Sequence, residues 1–178
     1  MNTIKPISLL FIFLILLNNS TTALSNNNAA FSFHLFQNNY QNIYKVIAVK
    51  DGDTFVVLFN NKQQVVRLAH IDCPEKKQPF GTKAKQFAAQ LCFGKNVYLI
   101  HENNYDRNKR LIAEVIVVEN KLNVNKELVK NGLAWHFKKY SNNTEYATLE
   151  IKARKEKTGI WSDENPIAPW VWRKSKKH

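Results

Sequence analysis

Four short stretches of this chain set charged residues at the edges of apolar runs. They are Asp51-Gly52-Asp53-Thr54, Arg67, Asp72-Cys73-Pro74-Glu75 and Asp106-Arg107-Asn108-Lys109-Arg110. A fold under no functional demand would favour Val or Thr at such strand edges. Asp53 opens one apolar strand and Asp72 closes the next, and hairpin pairing brings such ends together. Two carboxylates there suit a hard cation, Ca²⁺ or Mg²⁺, with backbone carbonyls, water and a substrate phosphate completing the shell. Glu75 follows Asp72 by three residues, with Pro74 stiffening the link. It is placed to hold a water for general-base attack on a phosphodiester. Arg67 and Arg110 would then clamp phosphate oxygens as charge develops, a task suited to a planar fork that stays protonated. Taken alone, Arg67 reads equally well as half of a structural ion pair.

The elements that must position these groups follow from periodicity. Segments 44–50, 53–59 and 63–71 are β-branched runs, separated by the turn signals Asp51-Gly52 and Asn60-Asn61-Lys62. In the third run, alternation sets Val65, Arg67 and Ala69 on one face and Val66, Leu68 and His70 on the other. Ala84, Phe87, Ala88, Leu91 and Cys92 recur at helical spacing and predict a helix over 82–92, closed by Gly94. Segments 96–101 and 111–118 supply two more strands. Val124, Leu128 and Val129 mark a short helix that stops at Asn131-Gly132, and 145–157 reads as a third, ended by Gly159. This order predicts an α+β, mainly β domain. Its expected form is a five-stranded antiparallel OB-fold barrel with about three helices, one inserted after the third strand. The domain occupies 42–162, preceded by an Asn-rich arm at 24–41 and followed by a Pro/Trp/basic tail at 163–178.

Lys and Arg number 26 against 14 Asp and Glu, a formal charge of +12 over 178 residues, which points to a polyanionic partner. Hydrophobic residues make up 44%, enough for one core, so a wholly disordered chain is excluded. The absence of long apolar arrays and heptads excludes a multi-pass membrane protein and a fibre. Two cysteines are too few for a disulfide scaffold or a zinc ribbon, and Cys73 and Cys92 read as buried thiols before a disulfide. His70 and His136 lack the neighbouring His or Cys that metal ligation would need. Trp161, Trp170 and Trp172 read as packing the tail onto the barrel before stacking on bases. Residues 1–23 read as a secretory signal, with Lys5 followed by an apolar run over 7–17. As a helix that run spans about 16 Å, well short of the ~30 Å of bilayer hydrocarbon. Cleavage is expected after Ala23, giving a secreted or periplasmic protein before one anchored to the membrane by an uncleaved signal.

The runs VIAVKDGDTFVV, VRLAHIDCPE, FGTKAKQFAAQLCFGKNV, YDRNKRLIAEV, ELVKNGLAW and ARKEKTGIW resemble, in order and spacing, the staphylococcal-nuclease-like (thermonuclease) family. The resemblance covers about Tyr44 to Trp161, and the tail NPIAPWVWRK resembles an ending of bacterial members. It implies a secreted, Ca²⁺-dependent, sugar-nonspecific nuclease. Its substrates would be DNA and RNA, single strands preferred, and it would act as a monomer without a stable protein partner. By this resemblance Asp53 and Asp72 ligate Ca²⁺ together with the main-chain carbonyl of Cys73, and Glu75 is the base. Arg67 and Arg110 bind the scissile phosphate, Arg107 lies near the terminal phosphate, and Tyr140 belongs to the nucleotide pocket. The implied reaction breaks the P–O5′ bond and leaves 3′-phosphates and 5′-hydroxyls.

Three positions depart from the family pattern. Cys73 stands where Thr is common, which spares a role for its carbonyl. The loop from Lys76 to Phe80 is shorter than in the best-known member, which bears on access and on exo or endo mode. Lys138 replaces a second pocket tyrosine, which bears on base preference. A reading from another class is a non-catalytic OB-fold that binds single strands. Acids beside the arginines would repel a phosphate backbone unless a cation lay between them, which favours the enzyme.

Overall fold

A computed structural model describes residues 42–176, so the signal and arm read over 1–41 lie outside the described residues, as do the last two positions. Strand β1 (Tyr44–Asp51) turns through Gly52 and Asp53 into β2 (Thr54–Phe59). Asn60 and Asn61, with φ of 47° and 59°, turn β2 into β3 (Lys62–Leu68). Positive φ at both central residues is what a tight two-residue hairpin requires, and Asn tolerates it. With β5 (Asn96–Ile100) and β6 (Leu111–Val117), these strands close a barrel in the order β1-β2-β3-β6-β5. One side of each strand fills it: Val46, Phe55, Val57, Val66, Leu68, Val97, Leu99 and Val115 are all buried.

The sequence pattern predicts an antiparallel barrel, and one strand pair departs from it. Strands β3 and β6 run parallel, pairing Val66 with Leu111, Arg67 with Ile112 and Leu68 with Ala113. Helix α1 (Gly81–Cys92) and β5 intervene between them, and a crossover of that length lets β6 return in the same direction as β3. Ala84, Ala88 and Cys92 on α1, and Val124, Leu128 and Val129 on α2 (Val124–Lys130), join the barrel core. Asn125 is fully buried and pins the end of β3 to the middle of β6. Its Oδ1 accepts from Val115 N–H at 3.0 Å, and its Nδ2 donates to the carbonyls of Ala69 and Ala113 at 3.1 and 3.2 Å.

The third strand also ends sooner than its pattern predicts. His70 takes a φ of 67°, and the chain resumes as a two-residue strand, β4 (Ile71–Asp72). This pairs antiparallel with β7 (Trp135–His136) in a separate small sheet. His70 therefore leaves the alternation that holds through Leu68, and Asp72 belongs to a different sheet from Arg67.

Helix α3 (Thr144–Lys155) completes the expected elements, and a 3₁₀ turn at Gly159–Ser162, not read from the sequence, follows it. A fourth helix, α4 (Pro169–Ser175), forms within the tail, started by Pro169. Trp135, Ala153, Ile160, Trp161 and Ala168 make a second apolar cluster, with Trp170 packed against it, so Trp161 and Trp170 pack as expected while Trp172 is not part of the cluster. The 3₁₀ turn crosses the chain at Gly132: a Cβ there would lie 2.0 Å from the Thr158 carbonyl oxygen, and φ is +61°. Only glycine meets both demands.

Candidate active site

The tight turn after β1 sets the first carboxylate. A Cβ at Gly52 would lie 2.9 Å from the Cys73 Cβ, so glycine lets this turn close onto the segment after β4. Cys73 N–H then donates to Asp53 Oδ2 at 2.9 Å. Across the hairpin Thr54 pairs with Arg67, which brings that guanidinium to the same end of the barrel. Arg67 Nη2 lies 3.2 Å from Asp53 Oδ2 and 2.8 Å from Asp72 Oδ1. Its Nη1 donates to the carbonyls of Leu68 and Ile71 at 2.8 and 2.9 Å, the second of which is turned toward it by the break at His70.

The electrostatics are crowded. Asp53 and Asp72 are buried, at 8% and 1% exposure. Burial raises the Asp72 pKa, and the hydrogen bond from Arg173 and the charge of Arg67 only partly oppose it. Burial and then the charges of Asp53 and Glu75 also raise Asp51. For Arg67 burial works downward, but Asp53 and Asp72 outweigh it and the pKa rises.

The second arginine is held by its own loop. Asp106 Oδ1 accepts from the N–H groups of Asn108 and Arg110 at 2.9 and 3.0 Å, which folds the loop back. Arg110 Nε and Nη2 fork onto Asp106 Oδ2 at 2.7 and 2.6 Å. Burial alone would raise the Asp106 pKa, but these bonds lower it. Arg110 Nη1 donates to Thr54 Oγ1 at 3.0 Å, and Thr54 Oγ1 donates to Asp53 Oδ1 at 3.1 Å. Arg110 is thereby tied to the first carboxylate, and Arg107 is left exposed on the loop.

All eight residues singled out in the sequence line one cleft of about 1000 Å³: Asp53, Arg67, Asp72, Cys73, Glu75, Arg107, Arg110 and Tyr140. Tyr140 is 70% exposed, its ring edge-on to Phe137 at 4.9 Å. Lys138 is outside this lining and pairs with Glu150 at 3.2 Å. His70 and His136 turn to Ser141 Oγ, at 2.9 and 3.0 Å. Cys73 and Cys92 are free and buried, and burial pushes the Cys92 thiol up to about 12.

The sequence reading missed Arg173. From α4 its Nη2 reaches Asp72 Oδ2 at 2.6 Å and its Nη1 reaches Glu75 Oε1 at 2.7 Å. The only trace in the sequence is Trp170 and Arg173 three apart after Pro169, one helical face carrying a packing ring and a charge. Gln78 was missed as well. Its Oε1 accepts from Glu75 N–H at 3.1 Å and its Nε2 donates to the Ile167 carbonyl at 2.6 Å, joining the Glu75 loop to the tail. Gly81 makes room for that loop: a Cβ there would lie 1.9 Å from the Glu75 carbonyl oxygen.

Among the described residues no three His, Cys, Asp or Glu side chains are grouped to hold a metal. The donors at hand are two carboxylates, Asp53 and Asp72, and the family resemblance would add the main-chain carbonyl of Cys73, a residue that lines the same cleft. These are hard oxygen donors, suited to Ca²⁺ if water and phosphate complete the shell. Asp51, Asp53, Asp72 and Glu75 line the cleft with Arg67 and Arg173 set among them; burial first, and neighbouring carboxylates after it, raise Asp51 and Asp72, and a bound cation would oppose both effects. The residues therefore fit such an ion.

Residues 65–163 match the family described as staphylococcal nuclease homologue. A protein of Haemophilus influenzae named an uncharacterized endonuclease is 41% identical over 138 residues, covering 77% of this chain and 76% of its own. An Escherichia coli protein with the same description is 36% identical over 132 residues, covering 74% and 85%. A micrococcal nuclease of Shigella flexneri is 36% identical over 143 residues, covering 75% and 82%.

Proposed function

The chain belongs to the staphylococcal nuclease family and is a nuclease, and from that premise we propose that it hydrolyses DNA and RNA to 3′-phosphate products with the help of Ca²⁺. The observation that carries this reading is the meeting of Asp53, Asp72, Glu75, Arg67 and Arg110 in one cleft. Bound through Asp53, Asp72 and the Cys73 carbonyl, Ca²⁺ would supply positive charge to a phosphate oxygen. Glu75 takes the proton of the attacking water, whose oxygen bonds to phosphorus. The P–O5′ bond breaks and O5′ takes a proton from solvent water, leaving a 5′-hydroxyl on one fragment and a 3′-phosphate on the other. Arg110, preset by Asp106 and Thr54, offers its charge to the phosphate without reorganising, and Arg67 does so beside the carboxylates. Arg107 and Tyr140 hold the neighbouring phosphate and base. Single strands suit the cleft best because Tyr140 presents an exposed ring on which an unpaired base can stack. The apolar run over 7–17 with Ala23 after it supports export, and among the described residues no helix is long and apolar enough to cross a membrane.

The test is incubation of the purified protein with single-stranded DNA in Ca²⁺, in Mg²⁺ and in EDTA. Cleavage in Ca²⁺ that EDTA abolishes is expected. Intact DNA retained in a gel shift under all three conditions would overturn the enzymatic reading in favour of a binder.

A further inference from the structure

Beside the cleft lies a second groove of about 570 Å³, which shares Arg107, Phe137 and Arg173 with it. Aromatic rings run without a gap from one to the other. Tyr140 meets Phe137 at 4.9 Å, and Phe137 stacks on Trp170 at 5.3 Å with planes 5° apart. Trp170 meets Trp135 edge-on at 5.5 Å. Lys138, Lys139, Arg154 and Lys174 add positive charge to this groove. Its carboxylate, Glu150, is buried and already matched by Lys138 at 3.2 Å and Arg154 at 3.3 Å. Neither the lysines nor Trp170 touches the carboxylates on which the chemistry rests.

We infer that this groove is a second polynucleotide subsite, which takes nucleotides of the same strand beyond those held in the cleft. Trp135 is buried and closes the row, so exposed Tyr140 and half-buried Phe137 and Trp170 are the rings that bases can meet, and rings interleaved with cations are the features by which proteins track single strands. The shared wall at Arg107 and Phe137 gives the strand a continuous path, and the helix α4 that carries Trp170 and Lys174 makes the far side. The inference rests on the nuclease reading for the identity of the strand.

The test compares oligonucleotides of about 3 and about 12 nucleotides, lengths that fill the cleft alone or both hollows. Binding is measured by fluorescence anisotropy in EDTA, and cleavage in Ca²⁺, for the wild type and for a Lys138→Gln/Lys174→Glu double variant. Glu150 keeps Arg154 in that variant, and a melting curve checks its fold. Each single-strand phosphate that the protein no longer neutralises lowers the salt slope by about 0.7, so two weaken binding about 25-fold at ~0.1 M salt. The 12-mer should lose that much and about 1.4 of slope, while binding and cleavage of the 3-mer hold. Equal losses for both lengths, or no loss, would overturn the subsite. So would the same loss from Lys62→Glu, an exposed position at the start of β3 outside both linings. Displacement of the 12-mer by polyglutamate of equal charge as readily as by DNA would also overturn it, since stacking would play no part. A wild type that binds by length but does not cut defeats the nuclease reading and leaves the groove standing. One that cuts without length preference defeats the groove alone.

Discussion

Replacing Arg173 with Met removes a cation from the two carboxylates most exposed to the consequences. The guanidinium makes two short bonds, 2.6 Å to Asp72 and 2.7 Å to Glu75, and a third of 3.3 Å to Asp72. Hydrogen bonds to charged groups are worth about 1.5–3 kcal/mol each, so the two short ones bound the loss at ~3–6 kcal/mol. Two features reduce it. The Arg173 side chain is 39% exposed, so water replaces part of what it gives. Asp72 also keeps Arg67 Nη2 at 2.8 Å, and Met preserves the packing of the stem. The net loss should be about 1–2 kcal/mol, a fall in melting temperature of roughly 3–6 °C for a chain of this size. Calorimetry in EDTA measures it. The same variant should bind Ca²⁺ about 5- to 30-fold more tightly, because the ion no longer shares Asp72 with a guanidinium; that factor is the same 1–2 kcal/mol converted. Titration calorimetry reads this directly, and in saturating Ca²⁺ the melting gap should close. An unchanged melting temperature in EDTA would refute the stabilising bonds, and weaker Ca²⁺ binding would refute the competition.

Glu75→Gln should lower turnover by about 10²-fold or more while oligonucleotide binding in EDTA stays within a few-fold, the pattern of a lost general base; wild-type turnover would remove Glu75 from that role. Arg110→Lys loses the fork on Asp106 and the bond to Thr54, and kcat should fall about as far as when other transition-state donors are removed, ~10²-fold. A change in KM alone would place Arg110 in ground-state binding. Burial by itself would raise Glu114, but hydrogen bonds from His70 and Asn123 bring it below its ordinary 4.5. A lowered folded pKa gives stability that is complete above 4.5 and is lost as pH falls through the folded value. Urea midpoints of wild type and Glu114→Gln should therefore differ at pH ~7, and the gap should narrow as pH falls below 4.5 through the folded value.

What the sequence made legible was local. Alternation in VVRLAHI placed Val66 and Leu68 inside and Arg67 on the other face as far as Leu68, and the Ala84-Ala88-Cys92 stripe marked the inner face of α1. The Asp53, Asp72 and Glu75 cluster was legible because each lies within a few residues of a turn or strand end. Other features depend on tertiary packing that no local pattern encodes. The break at His70 is a positive φ carried by a residue other than glycine, so nothing in VVRLAHI announces it. The parallel pairing of β3 and β6 depends on where a whole helix and strand between them lead. Asn125 reads as a polar helical residue until the end of β3 and the middle of β6 close around it. Arg173 is almost the length of the domain away from its partners, and only the docking of Trp170 on the second cluster brings it to them.

The most direct measurement is hydrolysis of a single-stranded oligonucleotide in Ca²⁺ and ¹⁸O-labelled water, with the product ends weighed by mass spectrometry. Attack of water on phosphorus with departure of O5′ predicts fragments bearing 3′-phosphates that each carry one ¹⁸O, and 5′-hydroxyls that carry none. Label on 5′-phosphates, or an uncut strand, would contradict the account.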